Sequence, residues 1–189
     1  MKKTSVIIII LMISASVLQA ADFSLGLFYG QRTVNDSDIK NIYGQGYIYF
    51  PYLYLNVWKG IIIGAGYEGG YSKRSTIGIF QEKTSLRVIG GEIFIGYQLK
   101  IRSLLPYFKI GWGYFAYKQT IESPYIEQYV DHKKTTITIS GGLSLFLLDN
   151  LYLGAEVKYV PLKVKPYEYE VDLGGVRYMA GVGFRFDIK

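Results

Sequence analysis

Residues 174–188 read Gly174-Gly175-Val176-Arg177-Tyr178-Met179-Ala180-Gly181-Val182-Gly183-Phe184-Arg185-Phe186-Asp187-Ile188. From 176 the even positions are Val, Tyr, Ala, Val, Phe, Phe and Ile; from 177 the odd ones are Arg, Met, Gly, Gly, Arg and Asp. A β-strand sends successive side chains to opposite faces, so this is one strand with an apolar face and a small or charged face. At about 13 residues it is long for a strand, where about 5–6 is typical. Glycines weaken a strand unless a crowded interior needs the space. Together these features predict a transmembrane β-strand, apolar toward lipid and polar toward a narrow lumen.

Seven further segments have period-2 character: 23–31, about 42–55, 61–71, 85–99, 105–118, 135–147 and 151–160. In 23–31, for example, Phe23, Leu25, Leu27 and Tyr29 oppose Ser24, Gly26, Phe28 and Gly30. The 61–71 segment sets Ile61, Ile63, Ala65, Tyr67 and Tyr71 against Ile62, Gly64, Gly66, Glu68 and Gly70. The faces of 42–55 are not separable, and Pro51 marks a bulge or an early end. No amphipathic helix is expected after residue 21. Polar connections at 32–38, 72–83, 119–134 and 161–172 alternate with short ones at 56–60, 100–104 and 148–150. Long loops at one end and short turns at the other, with both termini at the short-turn side, describe an outer-membrane barrel. The expectation is an all-β fold, an eight-stranded antiparallel up-and-down transmembrane β-barrel. A soluble periplasmic ligand-binding barrel, the alternative with the same strand count, would turn its apolar face inward. Here the opposing face carries Gly, Ser, Thr, Glu, Lys and Arg.

The chain begins Met1-Lys2-Lys3-Thr4-Ser5 and continues with the apolar run Val6-Ile7-Ile8-Ile9-Ile10-Leu11-Met12-Ile13. Small residues then lead to Leu18-Gln19-Ala20, the layout of a signal peptide. The apolar run is too short for a membrane-spanning helix, which needs about 20 residues. Residues 1–20 are therefore expected to be a cleaved signal peptide and 21–189 the barrel. The absence of cysteine excludes a disulfide scaffold and thiol catalysis. The formal charge of +6 falls to +4 when Lys2 and Lys3 are removed, too modest an excess to suggest a nucleic-acid partner for an exported chain. The 19 tyrosines suit bilayer interfaces, where an amphipathic ring sits at headgroup level.

The signal-like start, the eight segments, Pro106-Tyr107-Phe108-Lys109-Ile110-Gly111-Trp112-Gly113-Tyr114 and the closing Gly181-Val182-Gly183-Phe184-Arg185-Phe186 resemble the small outer-membrane barrels of the OmpA/OmpX type. The resemblance covers the whole mature chain and implies the bacterial outer membrane of a Gram-negative cell. It also implies a closing strand read by the barrel assembly machinery, which in this family usually ends on an aromatic residue. Here the chain runs on to Lys189. Two overlapping frames fit, 181–186 and 183–188, so the candidate assembly signal is Gly181, Gly183, Phe184, Phe186 and Ile188.

Strand parity sends Glu68, Glu92, Lys109, Glu156, Lys158, Arg177 and Arg185 into the lumen. An eight-stranded interior is just wide enough to be filled by side chains. Charges there must pair, so the expectation is a plug, with Glu92 beside Lys109, and Glu156 or Lys158 beside Arg177. Arg185 is expected as a further counter-charge to Glu156. A narrow channel is the competing use of the same residues. A lipid A-modifying barrel enzyme would need a nucleophile and a base in contact. The one histidine, His132, lies between Asp131 and Lys133 in a connection, with Ser123 and Ser140 as its conceivable partners. The chain is accordingly expected to be no enzyme, with no catalytic residue, no cofactor and no metal site. Tyr125, Tyr129, Tyr167 and Tyr169, with Lys133, Lys134, Lys163 and Lys165, form a candidate rim for lipopolysaccharide or surface partners. The function expected is that of a monomeric barrel with an envelope-structural or surface-interaction role, contacting outer-membrane lipid and lipopolysaccharide.

Overall fold

The computed structural model describes residues 22–123, 127–165 and 170–187. Eight strands close a barrel: β1 (Asp22–Arg32), β2 (Gly46–Trp58), β3 (Ile61–Ile77), β4 (Glu82–Gln98), β5 (Leu104–Glu122), β6 (Glu127–Phe146), β7 (Leu151–Val160) and β10 (Gly175–Asp187). All neighbours are antiparallel, and β10 pairs with β1 from Asp22↔Asp187 to Arg32↔Arg177. Between β7 and β10 lies a short hairpin of β8 (Lys163–Val164) and β9 (Val171–Asp172). The expected cleavage site, Tyr125, Tyr167, Tyr169, Ile188 and Lys189 fall outside the described residues.

The register fixes the geometry. One hydrogen-bonded row starts at Arg32 and passes through Arg177, Lys158, Ser140, Lys109, Gly96, Ile62 and Asn56. It returns to β1 at Asp22, ten residues from its start. A stagger of that size over eight strands tilts them about 40° and makes each row step along the barrel axis by roughly 3 Å per strand.

The lipid face follows from parity. Exposed Tyr29, Tyr47, Tyr49, Tyr67, Tyr114, Tyr159 and Tyr178 form a girdle toward the end that carries the long hairpins. Trp58, Tyr97, Phe108, Phe184 and Phe186 form another toward the termini. Between them stand Ile93, Ile95, Ile110, Ile137, Leu143, Leu153 and Val182, also exposed. Trp112 lies on this same outward face, in mid-strand.

Inside, glycines make room for rings. A β-carbon on Gly90 would overlap the Phe115 ring, one on Gly142 the Tyr107 ring and one on Gly183 the Tyr152 ring, each from the residue's cross-strand partner. The rings lie flat over the glycines and fill the lumen without widening it.

Three differences from the sequence expectation have local causes. A helix, α1 (Ser37–Tyr43), occupies the first connection, so β2 starts at Gly46 and not near 42. Asp36 caps α1, accepting from the amides of Asp38 and Ile39 at 3.0 and 3.1 Å. A bulge between Glu68 and Tyr71, with Gly70 at φ +95°, reverses the parity of β3, so Tyr71 faces inward and is buried. The connections 72–83 and 119–134 are mostly strand: β3 and β4 pair up to Ile77↔Glu82, and β5 and β6 up to Glu122↔Glu127. At 17 to 20 residues these four strands far exceed the 9–11 needed to cross a bilayer, so they project beyond it. At Pro51, which has no amide hydrogen, the β1 register continues while β2–β3 pairs are missing at Phe50 and Pro51.

Candidate functional site

Among the described residues, seven charged side chains lie in the upper two thirds of the lumen. Arg32, Arg177, Lys158 and Lys109 all belong to the single row traced above, so four cations descend the wall like steps. The acids come from other rows but reach the level of their partners. Glu68 lies 3.3 Å from Arg177 Nη2 and 3.6 Å from Arg32 Nη1. Glu92 accepts from Lys158 at 3.1 Å and from the Thr138 hydroxyl at 2.8 Å. Glu156 accepts from Lys109 at 2.5 Å and from the Tyr107 hydroxyl at 2.9 Å. All seven residues are buried, and Arg32, Lys158 and Arg177 are wholly inaccessible. The guanidiniums also donate to backbone: Arg32 to the Leu173 carbonyl at 2.5 Å and Arg177 to that of Gly175 at 2.7 Å. Lys158 Nζ sits 3.5 Å from the centre of the Phe50 ring.

Glu68, Glu92, Lys109, Glu156, Lys158 and Arg177 therefore meet inside the barrel, with different partners from those the sequence suggested. Glu92 is opposite Gly113, four residues along β5 from Lys109, or about 13 Å. Lys158 is directly opposite Arg177, so these two cannot neutralise each other and draw their acids from across the lumen. Arg185 does not join the network. It lies eight residues down β10 from Arg177, at the terminus-end rim, paired with Asp22 and 3.7 Å from Asp187. Arg32, read from sequence as part of a connection, is the member that was missed. Continuing the inward series Ser24, Gly26, Phe28, Gly30 by one step would have found it.

Below the charges, aromatic side chains fill the lumen. Tyr52 and Tyr152 share a hydroxyl–hydroxyl hydrogen bond at 3.0 Å, and Phe28 stacks on Tyr52 with centroids 4.9 Å apart. The void lined by Phe28, Tyr52, Tyr54, Ile62, Tyr107 and Lys109 measures about 10 Å³, at the threshold for a single water. Above the charges α1 closes the lumen. Ile39 and Tyr43 are buried with Leu86, Val88, Tyr117 and Val130, and the Tyr43 hydroxyl bonds Thr84 at 2.5 Å and accepts from Gln119 at 2.9 Å.

The rim carries the remaining chemistry. His132 stacks on Tyr117 with centroids 5.8 Å apart, while Ser123 donates to Glu82 at 2.6 Å and Ser140 is buried in the cation row. A cleft of about 470 Å³ between β6 and the β8–β9 hairpin is lined by His132, Lys133, Lys134, Lys163, Lys165 and Glu170 among others. Lys163 donates to Glu170 at 2.9 Å; that bond raises the Lys163 amine and holds the Glu170 carboxyl below its ordinary range. Tyr129 is exposed and donates to Asp131 at 3.2 Å. Among the described residues no group of three or more His, Cys, Asp or Glu is placed to hold a metal.

The model of the outer membrane protein beta-barrel domain family matches residues 5–186. The chain belongs to that family. Its membrane is accordingly the bacterial outer membrane. No curated protein matches the sequence. Among solved structures, Neisserial surface protein A (NspA) is 12% identical, with 88% of this chain and 99% of that one covered and a TM-score of 0.55. The N-terminal barrel domain of Pseudomonas aeruginosa OprF is 14% identical, with 89% and 98% covered and a TM-score of 0.55. The attachment invasion locus protein Ail of Yersinia pestis is 16% identical, with 89% and 99% covered and a TM-score of 0.54. Each shares the fold of this outer-membrane barrel.

Proposed function

We propose that this protein is a sealed outer-membrane barrel that acts through its outer surface, in envelope structure and surface interaction, and catalyses no reaction. Its termini face the periplasm and its long hairpins the cell exterior. The observation that carries the reading is the lumen itself: seven buried charges make four carboxylate-to-cation pairs, and a conducting pore would need water where those side chains stand. An interior of eight strands is filled by side chains alone. Single-channel recording in planar bilayers tests it. The expected result is no steady conductance; a large, steady one refutes the plug and favours the channel.

The basic cleft supports a finer reading of the surface role. Lys133 lies about 10 Å beyond the tyrosine girdle, at the depth of phosphorylated headgroups, where a lysine gains electrostatically. Its partners on this reading are the outer-membrane lipid, lipopolysaccharide above all, at the headgroup phosphates. Charge reversal at Lys133, Lys134, Lys163 and Lys165 together is expected to lower binding of the purified barrel to lipopolysaccharide; unchanged binding removes this role. We also assign β10 as the segment met by the barrel assembly machinery, through Gly181, Gly183, Phe184 and Phe186, and take the monomer as the working unit.

A further inference from the structure

The turn that joins β3 to β4 carries the most exposed large apolar side chains among the described residues. It reads Ile77-Gly78-Ile79-Phe80-Gln81. Turns usually carry Gly, Asn, Asp, Ser or Pro, whose short or polar side chains suit solvent. Here Ile79 is 95% exposed and Phe80 81% exposed, and Gly78 at φ +71° and Gln81 at φ +50° hold the chain in a tight reversal that throws both side chains outward. Ile77 is half-buried just beneath.

Height decides what this tip can touch. Tyr67 on β3 belongs to the outer girdle, and Ile77 lies ten residues further along the strand. At about 3.3 Å per residue and a tilt of about 40°, the tip stands roughly 20–25 Å above the girdle. The headgroup layer of a bilayer is only about 5–8 Å thick. The tip therefore clears the membrane in which the barrel sits, and its apolar side chains are not anchors there.

Charge decides what lies on the other side. Just behind the tip are Arg74 and Lys83, with Glu82 as the one carboxylate between residues 73 and 83, while Lys73 lies on the inward face with Tyr71. Arg74 and Lys83 are exposed on the outer face of the hairpin, while Glu82 accepts from Ser123 on the adjacent hairpin. An apolar point with a cationic collar matches a bilayer with anionic headgroups, which takes up aromatic and aliphatic side chains at its interface and attracts each nearby Lys or Arg.

We propose that the β3–β4 tip is a membrane-contacting wedge for a second, opposing bilayer, with Ile79 and Phe80 entering the interface and Arg74 and Lys83 meeting its anionic headgroups. The proposal rests on the reading that the long hairpins face outward, and the experiment separates the two.

The chain has no cysteine, so Gln81→Cys gives one labelling position at a residue already exposed. Labelling of intact cells with a membrane-impermeant maleimide reads the orientation on its own; no labelling overturns the outward reading and the wedge with it. With labelling established, the purified barrel in nanodiscs, carrying an environment-sensitive fluorophore at that cysteine, is mixed with vesicles of phosphatidylcholine alone or with phosphatidylserine added. The expected result is a blue shift with the acidic vesicles, quenched by brominated acyl chains present in the vesicles only. Affinity should be about tenfold weaker for neutral vesicles and for an Arg74→Glu, Lys83→Glu double variant. Ile79→Ser with Phe80→Ser should abolish the quenching while heat-modifiable gel migration, the sign of an intact barrel, is unchanged. No quenching with any vesicle overturns the wedge, as does binding that survives the serine pair. A shift produced by a soluble matrix protein and not by vesicles overturns it in favour of a protein partner.

Discussion

Replacing Glu68 with Ala removes the one carboxylate that serves two guanidiniums. In the folded barrel Arg177 approaches it at 3.3 Å and Arg32 at 3.6 Å, and all three side chains are buried. Each guanidinium keeps a carbonyl partner, Gly175 for Arg177 and Leu173 for Arg32, so hydrogen bonding is only partly lost. The charge is a different matter. Two inaccessible cations, adjacent on the β1–β10 seam, are left without their counter-ion, and removing one member of a buried ion pair costs about 3–5 kcal/mol. A variant in which Glu68, Arg32 and Arg177 all become apolar residues of similar size should recover most of that loss, because it buries no charge at all. Equilibrium urea unfolding in lipid vesicles, followed by tryptophan fluorescence, measures both. The reasoning fails if Glu68→Ala costs less than about 1 kcal/mol, the value of a solvated pair, since water would then be reaching the centre of the lumen. It fails equally if the triple variant is as unstable as the single one.

Other perturbations test separate parts of the structure. Gly183→Ala pushes a methyl group into the Tyr152 ring and should destabilise the folded barrel by about 1–3 kcal/mol by overpacking, even in refolding without assembly machinery; an effect confined to cells would leave only the role in assembly. Asp36→Ala should loosen α1 by about 0.5–2 kcal/mol, raising hydrogen exchange at the Asp38 and Ile39 amides while strand amides stay protected. In an NMR titration Glu170 should ionise below the ordinary carboxylate range and return to it in Lys163→Ala. Because its folded pKa is depressed, the pair's contribution is present above the unfolded carboxylate pKa of about 4.3 and fades as the pH falls below it.

Parity was the most informative signal in the chain, and its reach is visible residue by residue. It separates inside from outside on β1, β4, β5 and β7 because each has an apolar face that meets lipid. It is mute on β2, where tyrosines stand on both faces: Tyr47 and Tyr49 outward, Tyr52 inward. It breaks at Gly70, where one extra residue in the ladder inverts the faces beyond it. It also fades where β3 to β6 leave the bilayer, because no lipid then requires an apolar side. A seven-residue helix offers too little periodicity to register, and its Asp36 cap stands in a polar stretch that reads equally as a loop. For the charged residues, parity gives the face but not the height. Height depends on the stagger of the whole barrel, which no single strand encodes, and so the partners of Glu92, Lys109 and Arg177 could not be read in advance.

The cation row has a consequence for the seam that closes the barrel. Arg32 and Arg177 become neighbours only when the first and last strands meet, so the final seam brings two like charges together in a closed space. Glu68, the acid that reconciles them, arrives from β3 on a different part of the wall. With β3 out of register Glu68 would not reach the two guanidiniums, so the register of the third strand decides whether the seam between the first and last strands is neutralised.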